Sequence, residues 1–186
     1  MDGHGRSEVV RDTPISSLPL PEKYLMGREI ERKFLLEALP DGAEDAEVRH
    51  LEQGYLALEP DGQEVRLRRS DEAYLLTVKT GGELTRGEYE TKLDKGQFEA
   101  LWPATEGRRL RKDRYLLEYQ GRTVEIDVYH QPLRGLIVAE IEFPSKEAAG
   151  AFDPPGWMGR EVTDVNFLKN RNLLEFDSVE ELREEL

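Results

Sequence analysis

Pairs of like-charged residues at i, i+2 spacing recur along this chain. Glu29/Glu31, Glu88/Glu90, Glu125/Asp127 and Glu140/Glu142 are acidic, and Arg66/Arg68 and Lys112/Arg114 are basic. In an extended strand, residues two apart point to the same face, so each pair sets two like charges side by side on one wall. Opposite charges on neighbouring strands attract and like charges repel. A face on which sign is segregated therefore calls for counter-ions from outside: divalent cations for the carboxylates, and a polyanion for the arginines and lysines.

The intervening positions are apolar: Ile30 and Phe34, Val65 and Leu67, Val124, Ile126 and Val128, then Ile137, Ala139, Ile141 and Phe143. This alternation predicts strands with one charged and one apolar face. Strands are expected over 28–36, 49–59, 63–70, 73–80, 85–93, 108–119, 122–130 and 135–143. Pro60-Asp61-Gly62, Ser70-Asp71, Gly81-Gly82 and Gln120-Gly121 supply turns between them. Successive hairpins imply an antiparallel sheet, and closing it makes the charged face a lumen. Helices are expected over 95–102 behind Asp94, over 146–151 behind Ser145, from Thr163 or Asp164 through Leu173, and from Ser178 to Leu186. The expected fold is mainly β (α+β), an eight-stranded antiparallel β-barrel or tunnel with a few flanking helices. Residues 1–27, rich in Gly and Pro, read as a flexible leader, and 28–186 as one domain.

Charged residues make up 35% of the 186 positions and the formal net charge is −13. Such acidity excludes a broad nucleic-acid or anionic-membrane surface. The chain has no cysteine, and only His4, His50 and His130 could offer imidazole. Carboxylates remain as metal ligands, which favours hard ions such as Mg²⁺, Mn²⁺ or Ca²⁺ over zinc. With neither a long apolar run nor a signal-peptide stretch, the expected location is the cytoplasm.

Glu29-Ile30-Glu31-Arg32-Lys33 sets two carboxylates and an ammonium on one strand face, over roughly 13 Å at about 3.3 Å per residue. The carboxylates can hold a divalent ion while the lysine neutralises them or orients a water. Further on come Glu52-Gln53-Gly54-Tyr55, Val65-Arg66-Leu67-Arg68, Leu76-Thr77-Val78-Lys79, Glu88-Tyr89-Glu90, Lys112-Asp113-Arg114-Tyr115, Val124-Glu125-Ile126-Asp127-Val128, Ala139-Glu140-Ile141-Glu142 and Gly159-Arg160-Glu161-Val162-Thr163. In order and spacing this set, over about 28–175, resembles the CYTH domain proteins, also called triphosphate tunnel metalloenzymes.

The resemblance implies a tunnel that binds triphosphate with a divalent metal, Mg²⁺ or Mn²⁺, and acts on the terminal phosphoryl group. Position by position it implies Glu29, Glu31, Glu140 and Glu142 as metal ligands, with Asp127 and Glu90 as further candidates. It implies Arg66, Arg68, Lys79, Lys112 and Arg114 as the phosphate clamp, with Arg160 and Lys169 near the tunnel mouth. Glu31 and Lys33 are the candidate catalytic pair. Arginine's fork suits bidentate phosphate binding and lysine supplies a point charge.

Competing structural readings stand beside these. The basic pairs could instead neutralise the acidic ones, although buried ion pairs gain little once desolvation is counted. Arg86 and Lys92 share the face of Glu88/Glu90 and could neutralise it. Tyr55, Tyr74, Tyr115, Tyr119, Trp102, Trp157 and Phe167 read as packing residues, and His50 and His130 as surface residues.

The expected function is metal-dependent hydrolysis of inorganic triphosphate or another short polyphosphate, by a monomer or homodimer acting without nucleic acid or membrane. The alternatives are a nucleotide or thiamine triphosphatase or a class IV-type adenylate cyclase, for which no nucleoside-reading motif is evident, and a non-catalytic polyphosphate- or nucleotide-binding domain.

Overall fold

The computed structural model describes residues 30–71, 73–80 and 88–186. Glu29, the leader, Arg86 and the Gly81-Gly82 turn lie outside them. The strands are β1 (Ile30–Leu35), β2 (Glu47–Leu58), β3 (Glu64–Ser70), β4 (Ala73–Lys79), β5 (Glu88–Leu93), β6 (Arg109–Tyr119), β7 (Arg122–Tyr129), β8 (Ile137–Phe143) and β9 (Arg160–Glu161). They form one antiparallel sheet in the order β5-β4-β3-β2-β6-β7-β8-β1-β9. β1, first in the chain, pairs with β8, so the N-terminal acidic motif comes to rest against the Glu140/Glu142 motif.

The mainly antiparallel class is as expected, with two differences. A ninth, two-residue strand is present, and among the described residues the sheet has free edges rather than being closed. β9 pairs with the end of β1, Phe34 opposite Glu161 and Leu35 opposite Arg160, and the edges of the sheet are β5 and β9. The sheet nonetheless curls, bringing Arg68 on β3 within electrostatic range of Arg114 on β6 and Glu125 on β7.

Three helices flank the sheet. α1 (Lys95–Leu101) begins in a capping box in which Asp94 accepts from the Gln97 amide and Gln97 accepts from that of Asp94. α2 (Lys146–Ala151) and α3 (Val179–Glu184) are capped by Ser145 and Ser178. The helix expected from Thr163 through Leu173 is instead two short 3-10 turns, Asn166–Leu168 and Asn172–Glu175, separated at an extended Lys169. Tertiary bonds override the helical pattern here, because Val162 donates its amide to the Lys33 carbonyl and the Thr163 hydroxyl accepts from the Lys33 amide.

The apolar parity of β1, β7 and β8 (Phe34, Val124, Ile126, Ala139, Ile141) packs on the convex face with Phe143, Phe152 and Met158. Arg32 crosses that layer, donating to the Ala149 and Phe152 carbonyls and forking onto Glu161. A second core fills one end of the concave face: Leu110, Tyr129 and Val138 meet Val162, Leu168, Leu173, Val179 and Leu182 of the C-terminal segment. Between α1 and β2, Gly54 lets the backbone pass under Thr105, where an added Cβ would lie 2.5 Å from its hydroxyl. Among the described residues no helix is long and apolar enough to cross a membrane.

Candidate active site

Strand register decides which side chains share the concave face. Glu31 lies opposite Glu142, Lys33 opposite Glu140, Glu125 opposite Glu140, Arg114 opposite Asp127 and Glu64 opposite Lys79. By alternation, Arg66, Arg68, Lys112, Glu88 and Glu90 join them. The like-charged pairs named from sequence therefore face one concavity wherever the structure describes them.

The acidic side is an open-sided cavity of about 300 Å³, lined by Glu31, Glu125, Glu140 and Glu142 with Arg122 and Thr123 at its rim. Lys33 enters it with Nζ 2.6 Å from Glu140 and 3.9 Å from Glu31. Burial opposes the charge on Lys33, but Glu140 and then Glu31 outweigh it and raise its pKa. Glu142 goes the other way: partial burial and the neighbouring charges of Glu125, Glu31 and Glu140 push its carboxyl above the usual range. Burial and repulsion within the carboxylate cluster thus both oppose its ionisation.

Arg114 sits at the centre. It forks onto Asp127 at 2.7 Å through both Nε and Nη2, donates to Glu125 and approaches Glu140. Asp127 is fully buried and also accepts from Lys112, so both its oxygens are engaged by cations. Burial alone would raise its pKa, and Lys112 and Arg114 hold it down. Lys112, 2% exposed, is pulled below its ordinary range by burial and by Arg114, despite Asp127.

The basic wall is β3. Arg66 and Arg68 each bury an Nε that has no hydrogen-bond partner among the described residues, a costly state that an anion would relieve. Burial, then Arg66, depresses the pKa of Arg68. Its Nη2 donates to Glu90 at 3.1 Å, and Thr77 donates to the same oxygen. Glu90 thus stands on the basic wall, on the far side of β2 from the acidic cavity. Lys79 pairs with Glu88 at 3.1 Å.

The two outlying candidates lie apart from this group. Arg160 donates to the Leu186 carbonyl. Lys169 is exposed, next to Asn170. Sequence reading left out Glu125 as a ligand, although its parity with Asp127 put it on the same face. It also left out Asn170 and Arg171, which fall within the stretch expected to be a helix from Thr163 or Asp164 through Leu173 and instead lie between the two 3-10 turns.

The donor set fits a hard divalent cation: four carboxylates, Glu31, Glu125, Glu140 and Glu142, line the cavity, and a cation there would relieve the repulsion that, with burial, raises the Glu142 pKa. Among the described residues no three potential ligands already stand in metal-binding geometry, because Lys33 and Arg114 draw Glu140 and Glu125 toward themselves.

Known proteins are similar to this chain in sequence and fold. An inorganic triphosphatase of Nitrosomonas europaea is 47% identical over 146 residues, covering 78% of this chain and 95% of that protein. An inorganic triphosphatase of Acetivibrio thermocellus is 37% identical over 153 residues, covering 80% and 94%. The crystal structure of an inorganic triphosphatase superposes with a TM-score of 0.66 at 43% identity, over 82% of this chain and 98% of that one. The CYTH domain matches residues 27–153. With that span and these relatives, the chain belongs to the CYTH domain family.

Proposed function

We propose that this protein hydrolyses inorganic triphosphate to phosphate and diphosphate, using a divalent cation, Mg²⁺ or Mn²⁺. One observation carries the reading: Arg66 and Arg68, with unsatisfied buried Nε atoms, share a concave face with a cavity lined by Glu31, Glu125, Glu140 and Glu142, where burial and mutual repulsion oppose the ionisation of Glu142. A bare triphosphate with its cation completes both halves at once. The relatives named inorganic triphosphatase support the same substrate.

In this reading Arg66, Arg68, Lys79, Lys112 and Arg114 grip the phosphate chain and absorb charge that develops as the terminal phosphoryl group transfers. Glu31, Glu140 and Glu142 hold the cation, with Glu125 added from the cavity and Glu29 retained from sequence. When bound, the cation neutralises phosphoryl oxygens and makes water more acidic. Lys33, fixed between Glu140 and Glu31, orients the attacking water toward the terminal phosphorus, and the bond to the diphosphate oxygen breaks. Asp127, already saturated by Lys112 and Arg114, serves to aim those two cations. Glu90 does the same for Arg68. Arg160, engaged with Leu186, falls outside the phosphate set, and Lys169 stays an outlying candidate. The protein acts as a monomer or homodimer in this reading. The net charge of −13 disfavours nucleic acid and anionic membranes, in keeping with action in the cytoplasm.

The test is phosphate release from triphosphate, ATP and thiamine triphosphate with Mg²⁺, Mn²⁺ and Ca²⁺ compared. We expect kcat/KM for triphosphate to exceed that for ATP by at least about tenfold. Equal efficiency, or cyclic AMP formed at a comparable rate, overturns the assignment.

A further inference from the structure

The concave face has two unlike ends. In four neighbouring strands its charged row gives way to an apolar residue at the same end: Lys33 to Leu35, Glu140 to Val138, Asp127 to Tyr129 and Lys112 to Leu110. Leu168, Leu173 and Leu182 of the C-terminal segment cover that end. The other end opens beside the β6–β7 turn, where Arg122 and Thr123 rim the acidic cavity.

At the covered end, two adjacent residues fasten the C-terminal segment to opposite walls. The Asn170 side-chain oxygen accepts from the Tyr129 hydroxyl at 2.6 Å and from Lys112 Nζ at 3.4 Å. Arg171 reaches the other way, donating to the Glu59 carbonyl at 2.6 Å and the Gln63 carbonyl at 3.4 Å, with Glu64 3.9 Å away. The strap therefore spans from β6 and β7 to the turn that leads into the basic strand β3. Beyond Lys112 a phosphate would meet hydrocarbon and a carboxamide whose oxygen is already engaged by Tyr129 and Lys112, and unpaired charge is costly to bury there.

We propose that Asn170 and Arg171 form an end stop that sets how long a phosphate chain this site accepts. The inference rests on the triphosphatase reading above. One terminal phosphate stops at Lys112, the chain runs past the arginines toward the carboxylates, and a fourth phosphate is forced out among acidic side chains at the mouth. Short chains are selected by a wall at one end and by repulsion at the other.

The experiment compares inorganic triphosphate with inorganic tetraphosphate, in turnover with Mg²⁺ and in calorimetric binding to the whole protein. The intact protein should prefer triphosphate by at least about tenfold in both. Arg171→Ala, which releases the β2–β3 side, should shrink that preference by about tenfold, and Arg171→Lys should restore part of it. Asn170→Ser, which keeps a hydroxyl acceptor for Tyr129, should shrink it less. An equal fall on both substrates in every variant, or equal binding of the two anions by the intact protein, overturns the end stop. Should triphosphate not be hydrolysed, the activity reading fails, while the calorimetric ratio still decides the stop; should Arg171→Ala not fold, the binding ratio of the intact protein decides it alone.

Discussion

Lys33 Nζ lies 2.6 Å from a Glu140 oxygen, joining a strand near the start of the described chain to one more than a hundred residues later. Both side chains are largely buried, at 8% and 16% exposure. Glu140 keeps a pKa below the usual carboxylate range although burial pushes it up, because Lys33, Lys112 and Arg114 offset that burial.

Glu140→Gln should therefore be costly twice over. It leaves Lys33 buried without its nearest carboxylate, a loss of about 3–5 kcal/mol, and it removes a proposed cation ligand. We expect a lower urea midpoint and a fall in turnover of more than about a hundredfold. Replacing both partners, as Lys33→Met with Glu140→Leu, should restore part of the stability and none of the activity. A single variant with unchanged unfolding and turnover refutes the pairing.

Arg68 should behave in the opposite manner. It is held beside Arg66 with one nitrogen unsatisfied, so its charge suits a ligand more than the fold. Arg68→Ala should weaken triphosphate binding by more than about tenfold, with apo stability unchanged within about 1 kcal/mol or increased. A large loss of apo stability with normal kinetics would reassign it as a structural partner of Glu90.

Glu142 gives a test through the cation. Its raised pKa means that ionisation is opposed in the fold, so its contribution to stability is full below the ordinary carboxylate value and is lost as pH rises through the raised one. At neutral pH, Glu142→Gln should raise the apo melting temperature, and this gain should vanish in acid. The same variant should lose most of the thermal stabilisation that Mg²⁺ or Mn²⁺ gives the unaltered protein. An identical metal-dependent shift in both removes Glu142 from the ligand set.

Away from the site, Asp113 bridges two histidines, 2.7 Å from His50 Nδ1 and 3.0 Å from His130 Nε2. The hydrogen bond to Asp113 raises the His50 pKa, so that contribution is present below the ordinary value of 6.5 and is lost as pH rises through the raised one. Asp113 is held down by both histidines despite its burial, so its share is lost as pH falls below the ordinary 3.8. Asp113→Asn should thus destabilise most between about pH 4 and 6.5 and little at pH 8.5, with kcat unaffected. A destabilisation that does not vary with pH would contradict the ion pairing.

Much of this architecture is legible in the i, i+2 charges, because strand parity ties local sequence directly to a face. Arg66, Arg68, Lys112, Arg114, Glu140 and Glu142 need only alternation to be placed together. Parity cannot say which partner a charge meets across the curl. It does not foretell that Lys112 and Arg114 engage both oxygens of Asp127, or that Arg68 meets Glu90. The strap around Asn170 and Arg171 was illegible for a different reason. Its conformation is set by bonds to Lys112, Tyr129 and the Glu59 and Gln63 carbonyls, distant in sequence, and the helical pattern of 163–173 yields to them.

The pairing of β1 with β8 also dictates when the site can exist. Neighbouring hairpins from β2 to β5 and from β6 to β8 close over short loops, whereas β1 must wait until β8, which ends at Phe143, has emerged from the ribosome. Such long-range closure is slow relative to hairpin formation. The Glu31–Lys33 half and the Glu140–Glu142 half thus meet only at a late step, and a nascent chain is inert until β1 docks against β8. On dilution from denaturant, turnover should return later than the bulk of the strand signal, making the enzyme's own activity a clock for the final strand to dock.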